Sequence, residues 1–92
     1  MAPINMVVKY APEFVRLYNK LGFELQEEIK EKITLFKDPT NHKQLKVHKL
    51  HGRLRDRYSF SVNYKYRIIF EYGQKDNRIV ILKTVGDHDV YK

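Results

Sequence analysis

A chain of 92 residues, 42% hydrophobic and 13% aromatic, holds material for one small core. It is too apolar to be a disordered chain, and too short for two Rossmann halves or a TIM barrel. The absence of Cys removes disulfide scaffolds, thiolate zinc sites and cysteine nucleophiles, and fits a reducing cytoplasm. No run approaches the roughly 20 apolar residues of a membrane span, and Met1–Tyr10 lacks the layout of a signal peptide. The expectation is a single domain over 1–92, cytoplasmic, with no membrane contact and no cofactor. The charge is segregated. Residues 1–40 balance six Lys/Arg against six acids, whereas residues 41–92 hold twelve against five, so the whole +7 lies in the second half. A segregated excess points to a polyanion or an acidic partner.

Ile4–Tyr10 is apolar and β-branched at its centre and reads as a first strand. Pro12 and Glu13 suit a helix first turn, and Phe14, Tyr18 and Leu21 form the stripe of a helix that stops at Gly22. A second helix over 24–36 carries Leu25, Ile29, Ile33 and Phe36 on one face and alternating charge on the other. Asp38-Pro39-Thr40-Asn41 breaks it. The period then changes from helical to two. Tyr58, Phe60 and Val62 alternate with Arg57, Ser59 and Ser61; Tyr66, Ile68, Phe70 and Tyr72 alternate with Arg67, Ile69 and Glu71. Gly73–Asn77 is a polar turn, Arg78–Thr84 is apolar on both faces like a central strand, and Gly86 permits a turn after it. The order is β-α-α-β-β-β: an α+β domain, a helical hairpin packed on a small antiparallel sheet.

The segment 41–57, NHKQLKVHKLHGRLRDR, concentrates the chemistry. Lys43, Lys46, Lys49, Arg53, Arg55 and Arg57 join His42, His48 and His51 against the single acid Asp56. A solvated basic connection explains any one Lys, but three His among them add groups that titrate near neutrality. Four His without Cys, two of them on an extended segment, do not make a metal site of familiar spacing. A Ser-His-Asp set from Ser59 or Ser61 with His88 and Asp87 or Asp89 lacks a nucleophile elbow. No Gly-rich phosphate loop is present. In the terminal VGDHDVYK, His88 and Tyr91 are either a packed tail or a functional pair.

The order of elements, LKVHKLHG at 45–52, YKYRIIFEY at 64–72 and the ending TVGDHDVYK together resemble the RelE/ParE superfamily of bacterial toxin–antitoxin toxins. The resemblance covers essentially the whole chain and is nearest to the RelE, YoeB and YafQ branches. It implies a toxin that cleaves mRNA, usually on the ribosome, without a metal. His48 matches the His of the YafQ-type Leu-Lys-x-His-x-Leu-x-Gly run. Arg67 matches the strand Arg that RelE and YoeB types set on the scissile phosphate. His88 matches the near-terminal His of YoeB and YafQ types, and Tyr91 the terminal aromatic.

There are departures. Ser59 and Ser61 stand where RelE has two catalytic Lys, Ser61 and Lys65 where YafQ types have a further His and Asp, and no acid lies near Lys43–Gln44, where YoeB types have their base. By the resemblance, His48 and His88 supply base and acid in either order. Arg67, helped by Arg55 or Arg57, holds the phosphate, and Tyr91 stacks on a base or orients the phosphate. Lys43, Lys46, Lys49, His51, Arg53, Arg55 and Arg57 follow the RNA backbone. The implied partners are a cognate antitoxin, in a hetero-oligomer, together with mRNA and the ribosome. Two other readings stay open: a ParE-type inhibitor of DNA gyrase, and an inactive binding module of the same fold, to which Ser59 and Ser61 point. Arg67 is expected to be dispensable for folding unless it pairs with Glu71 on the same strand face.

Overall fold

The structure is a computed structural model and describes residues 5–87. The chain runs β1 (Val7–Tyr10), α1 (Pro12–Asn19), α2 (Phe23–Phe36), β2 (His48–Lys49), β3 (Tyr58–Ser61), β4 (Tyr66–Tyr72) and β5 (Ile79–Asp87), with short 3₁₀ turns at Pro39–Asn41 and Gly52–Leu54. The strands make one sheet in the order β1-β5-β4-β3-β2. The α+β plan and the helical hairpin are as expected, with two differences in the sheet. It is mixed, because β1 runs parallel to β5, Val7 opposite Ile79 through Tyr10 opposite Leu82. The two helices between β1 and the meander return the chain to the same end of the sheet, which permits parallel pairing. It also has a fifth strand, β2, whose two residues pair with Ser59 and Tyr58.

Both helices cover one face. Phe14 of α1 and Ile29, Ile33 and Phe36 of α2 share a core with Phe60, Val62, Ile68, Phe70, Val80, Leu82 and Val85 from the strands. At its centre the Phe36 ring stacks on Phe60 (centroids 4.3 Å apart, planes within 8°) and meets the edge of Phe70 at 4.9 Å. The other side of Phe36 is closed by the His42 ring at 4.7 Å. His42 also satisfies the end of α2, its Nε2–H donating to the Phe36 carbonyl at 2.8 Å, beside Asn41, whose amide donates to the Leu35 carbonyl at 2.9 Å. These are the carbonyls a helix end leaves without partners. His42 is therefore a structural member of the basic segment. Asp38 starts the 3₁₀ turn before it by accepting from the Thr40 N–H and hydroxyl, which hold its carboxyl below the usual carboxylate range.

The third long strand is longer than its apolar run. β5 continues through Thr84 and Val85 to Gly86 and Asp87, which pair with Arg67 and Tyr66, so Gly86 lies within the strand and makes no turn. A register shift between Ile69 and Phe70 skips Lys83 and keeps Val80, Leu82 and Val85 on the helix side despite their uneven spacing. Removing the central ring should be severe. Phe36→Ala is expected to cost about 3–5 kcal/mol, as for other buried aromatics, read from the shift of the denaturant midpoint at constant slope. A loss below about 1 kcal/mol would show that the stack is not the centre of the core.

Candidate nucleic-acid interface

Alternation fixes which residues reach the face away from the helices. With Phe60 and Val62 in the core, Ser59 and Ser61 turn the other way; with Ile68 and Phe70 in the core, so do Arg67 and Ile69. The register sets His48, Ser59, Ile69 and Thr84 in one row across β2, β3, β4 and β5, and Ser61, Arg67 and Gly86 in the row beside it. His48 and Arg67 are thus brought to one face. Strand spacings of ~4.8 Å and ~3.4 Å per residue put their Cα atoms about 12 Å apart.

The motif LKVHKLHG explains itself locally. Leu45 and Leu50 are buried and Val47 is partly buried against the core, so the segment is pinned at three points. Lys46, between Leu45 and Val47, adopts φ 59°, and Gly52, just past Leu50, φ 73°, the left-handed region that glycine enters without strain and lysine does not. The left-handed Lys46 aims its carbonyl back at the His48 ring. His48 Nδ1 donates to it at 2.8 Å. A carbonyl only accepts, so Nδ1 carries the proton and Nε2 of the neutral ring carries the lone pair. Nε2 lies 3.4 Å from the Ser59 hydroxyl. His48 is exposed and Ser59 wholly buried.

Arg67 is held differently from the sequence-based expectation. Its Nη1 donates to the carbonyls of Asn63 and, at 3.1 Å, Tyr66. Asn63 organises this turn: its side-chain oxygen accepts from the N–H groups of Lys65 and Tyr66, both at 2.8 Å, and its amide donates to Glu28 of α2 at 2.7 Å. Glu71 pairs instead with Arg57, Nε to Oε1 3.1 Å, a half-buried bridge on the same face. Arg67 therefore serves the fold through the turn and not through Glu71. Its two turn bonds use Nη1 alone; a guanidinium carries three more N–H donors on Nε and Nη2, the side-on fork that fits a phosphate.

Lys43, Lys46, Lys49, His51, Arg53 and Arg55 are exposed along the edge that β2 forms and the loops flanking it. Arg57 is half-buried and committed to Glu71. His88 and Tyr91 lie outside the described residues. Among the described residues, no three His, Asp or Glu side chains gather as a metal site would require. A cavity of about 440 Å³ on the other side, lined by Tyr58, Tyr72, Asp56 and His42 among others, contains neither His48 nor Arg67. Burial and the neighbouring Tyr58 push the Tyr72 hydroxyl above its ordinary pKa there. In the sequence Ser59 stands as a candidate nucleophile without an elbow and as a replacement for a RelE lysine, with no sign of a link to His48. Its contact with His48 depends on β2, which is too short to leave a periodic signal.

The turn bonds make a direct prediction. Arg67→Ala should lose about 1–3 kcal/mol, the scale of charge-assisted hydrogen bonds to partly buried carbonyls, and Asn63→Ala should destabilise the same turn. Thermal melting of both variants and the double mutant checks this. A double-mutant loss equal to the sum of the two singles would show that Arg67 and Asn63 are not coupled.

No family model matches the chain, and no curated protein matches it in sequence. Solved structures do. A chain of the RelBE2 toxin–antitoxin complex from Mycobacterium tuberculosis superposes with a TM-score of 0.74 at 16% identity, covering 92% of this chain and 93% of that one. The archaeal RelE–RelB complex from Pyrococcus horikoshii gives 0.68 at 19% identity, covering 94% and 98%. YafQ from E. coli gives 0.64 at 16% identity, covering 91% and 94%. Two helices on a five-stranded mixed sheet, matched over nearly the full length of both partners, give this chain the fold of the RelE, YoeB and YafQ toxins.

Proposed function

We propose that the chain is the toxin of a type II toxin–antitoxin pair and acts as a metal-independent endoribonuclease on mRNA, with the ribosome as its working site in the cytoplasm. The observation that carries this reading is the convergence of His48 and Arg67 on one sheet face, His48 held with Nε2 as its basic nitrogen. The fold it shares with RelE, YoeB and YafQ toxins supports the same conclusion.

In this mechanism His48 Nε2 takes the proton of a ribose 2′-hydroxyl. The 2′-oxygen attacks the adjacent phosphorus, the bond to the 5′-oxygen breaks, and that oxygen leaves with a proton from the second acid–base group, for which His88 is the candidate. Charge developing on the phosphate oxygens is met by the Nε and Nη2 edge of Arg67, a fixed donor array of the kind that supplies much of catalytic stabilisation. Tyr91 is the candidate for stacking a base or orienting the phosphate. Lys43, Lys46, Lys49 and Arg55 follow the backbone on either side. The partner that restrains the toxin is a cognate antitoxin, and the surplus of seven positive charges favours an acidic one.

Cell-free translation followed by primer extension tests the activity. Discrete breaks within translated mRNA are expected. His48→Gln and His88→Gln should each slow single-turnover cleavage by about 10²-fold or more, the scale for losing a positioned acid or base. Intact mRNA, with inhibited supercoiling by DNA gyrase, would favour the ParE-type reading. Intact mRNA and unaffected gyrase would favour an inactive binding module.

Binding to single-stranded RNA should be strongly salt-dependent. Each phosphate contact contributes about −0.7 to the slope of log affinity against log salt. Replacing Lys43, Lys49 and Arg55 by Gln should flatten that slope by about two units, measured by fluorescence anisotropy. An unchanged slope would remove these side chains from the RNA path.

A further inference from the structure

Ser59 stands out as a small polar residue, fully buried on the sheet face that carries His48 and Arg67. Full burial argues against a nucleophilic role, because the hydroxyl has no open approach of its own; the exposed group beside it is the His48 ring. A buried hydroxyl nevertheless needs a partner. The partner in reach is His48 Nε2 at 3.4 Å, while the opposite ring nitrogen is tied to the Lys46 carbonyl at 2.8 Å. The imidazole is thereby gripped at both nitrogens, by a backbone acceptor on one side and a side-chain hydroxyl on the other.

We propose that Ser59 is a positioning residue for His48: with the Lys46 carbonyl, it holds the ring in one orientation and in the Nδ1-protonated neutral tautomer. The proposal rests on the nuclease reading above for its consequence, but the hold itself is a property of the ring. The chemistry suits a hydroxyl in particular. Toward the neutral ring it donates to the Nε2 lone pair; toward the ring that has taken a proton it turns and accepts from Nε2–H. Alanine serves neither state. The separation matters as well, since 3.4 Å is a long hydrogen bond. A ribose hydroxyl approaching at the usual ~2.6–3.2 Å for proton transfer therefore outcompetes Ser59 for Nε2. The serine parks the base without blocking it. Register makes this arrangement available, because Ser59 is directly opposite His48 on the paired strand.

The test uses the full chain labelled with ¹⁵N. At a pH where the ring is neutral, the His48 nitrogen shifts and long-range couplings should report the Nδ1–H form and one ring orientation. Ser59→Ala, which leaves backbone pairing and volume nearly unchanged, should broaden or average that pattern with little change in melting. Its single-turnover cleavage should fall by about 10- to 100-fold at saturating RNA, as displaced catalytic groups do, with KM unchanged. Ser59→Thr, which keeps the hydroxyl, should restore the ring pattern. A Ser59→Ala spectrum identical to that of the unmutated chain overturns the proposal, and so does an altered spectrum with full cleavage. If the unmutated chain proves not to cleave RNA, the nuclease reading fails, and the ring spectrum still decides whether Ser59 holds His48.

Discussion

The pleat of β3 and β4 is the constraint on which the rest depends. Phe60, Ile68 and Phe70 must reach the helices, because they and Phe36 form the centre of the core. Successive strand residues point to opposite faces, so Ser59, Ser61, Arg67 and Ile69 have no choice of side. The face that carries His48 and Arg67 is in this sense the remainder of the hydrophobic face. A one-residue slip of β3 would turn Ser59 and Ser61 into the aromatic core and Phe60 out of it, an exchange the core cannot tolerate. Stability and site geometry are therefore selected together, and the positions of His48 and Arg67 relative to each other inherit the rigidity of the ladder between them.

The elements that follow from periodicity were legible in the sequence. The stripe Ile29, Ile33, Phe36 and the alternations of β3 and β4 are long enough to express their period, and each is found where its period requires. What was not legible has a physical reason in every case. β2 is two residues long and exists only because His48 and Lys49 lie against an open edge of β3. The parallel partnership of β1 and β5 is a tertiary choice with no local signature. Lys46 is left-handed without being glycine, so composition gives no warning of it. The extension of β5 through Gly86 comes from pairing with Arg67 and Tyr66, which outweighs the glycine's weak strand propensity. On the site, His48 and Arg67 could be named from the resemblance and their partners could not, because the Lys46 carbonyl, Ser59 and the Asn63 turn are neighbours only after folding.

Arg67 illustrates how one side chain answers two demands. Arg67 is half-buried on the sheet face, and a guanidinium there without partners would carry a desolvation cost. The carbonyls of Asn63 and Tyr66 reduce that cost through Nη1, and in doing so they fix the plane of the guanidinium. A fixed plane is what bidentate phosphate recognition needs, since the fork loses less freedom when an anion arrives. The turn it braces is in turn tied to α2 through Asn63 and Glu28. The orientation of the candidate phosphate-binding edge is thus set by contacts reaching to the far layer of the domain.

Lys46 shows the same economy at the other end of the face. A non-glycine residue at φ 59° costs on the order of 1 kcal/mol, and glycine would remove that cost. Glycine would also give the unfolded chain more freedom to lose, and it would delete one cation from the exposed edge of the basic segment. Flanking burial of Leu45 and the partly buried Val47 over-determines the backbone there, so the strained conformation persists with a lysine in it. The carbonyl it presents orients His48, while the ammonium remains on the exposed side. A single residue then contributes its backbone to orienting the His48 ring and its side chain to the positive charge of the exposed edge, a division of labour that glycine at this position would forfeit.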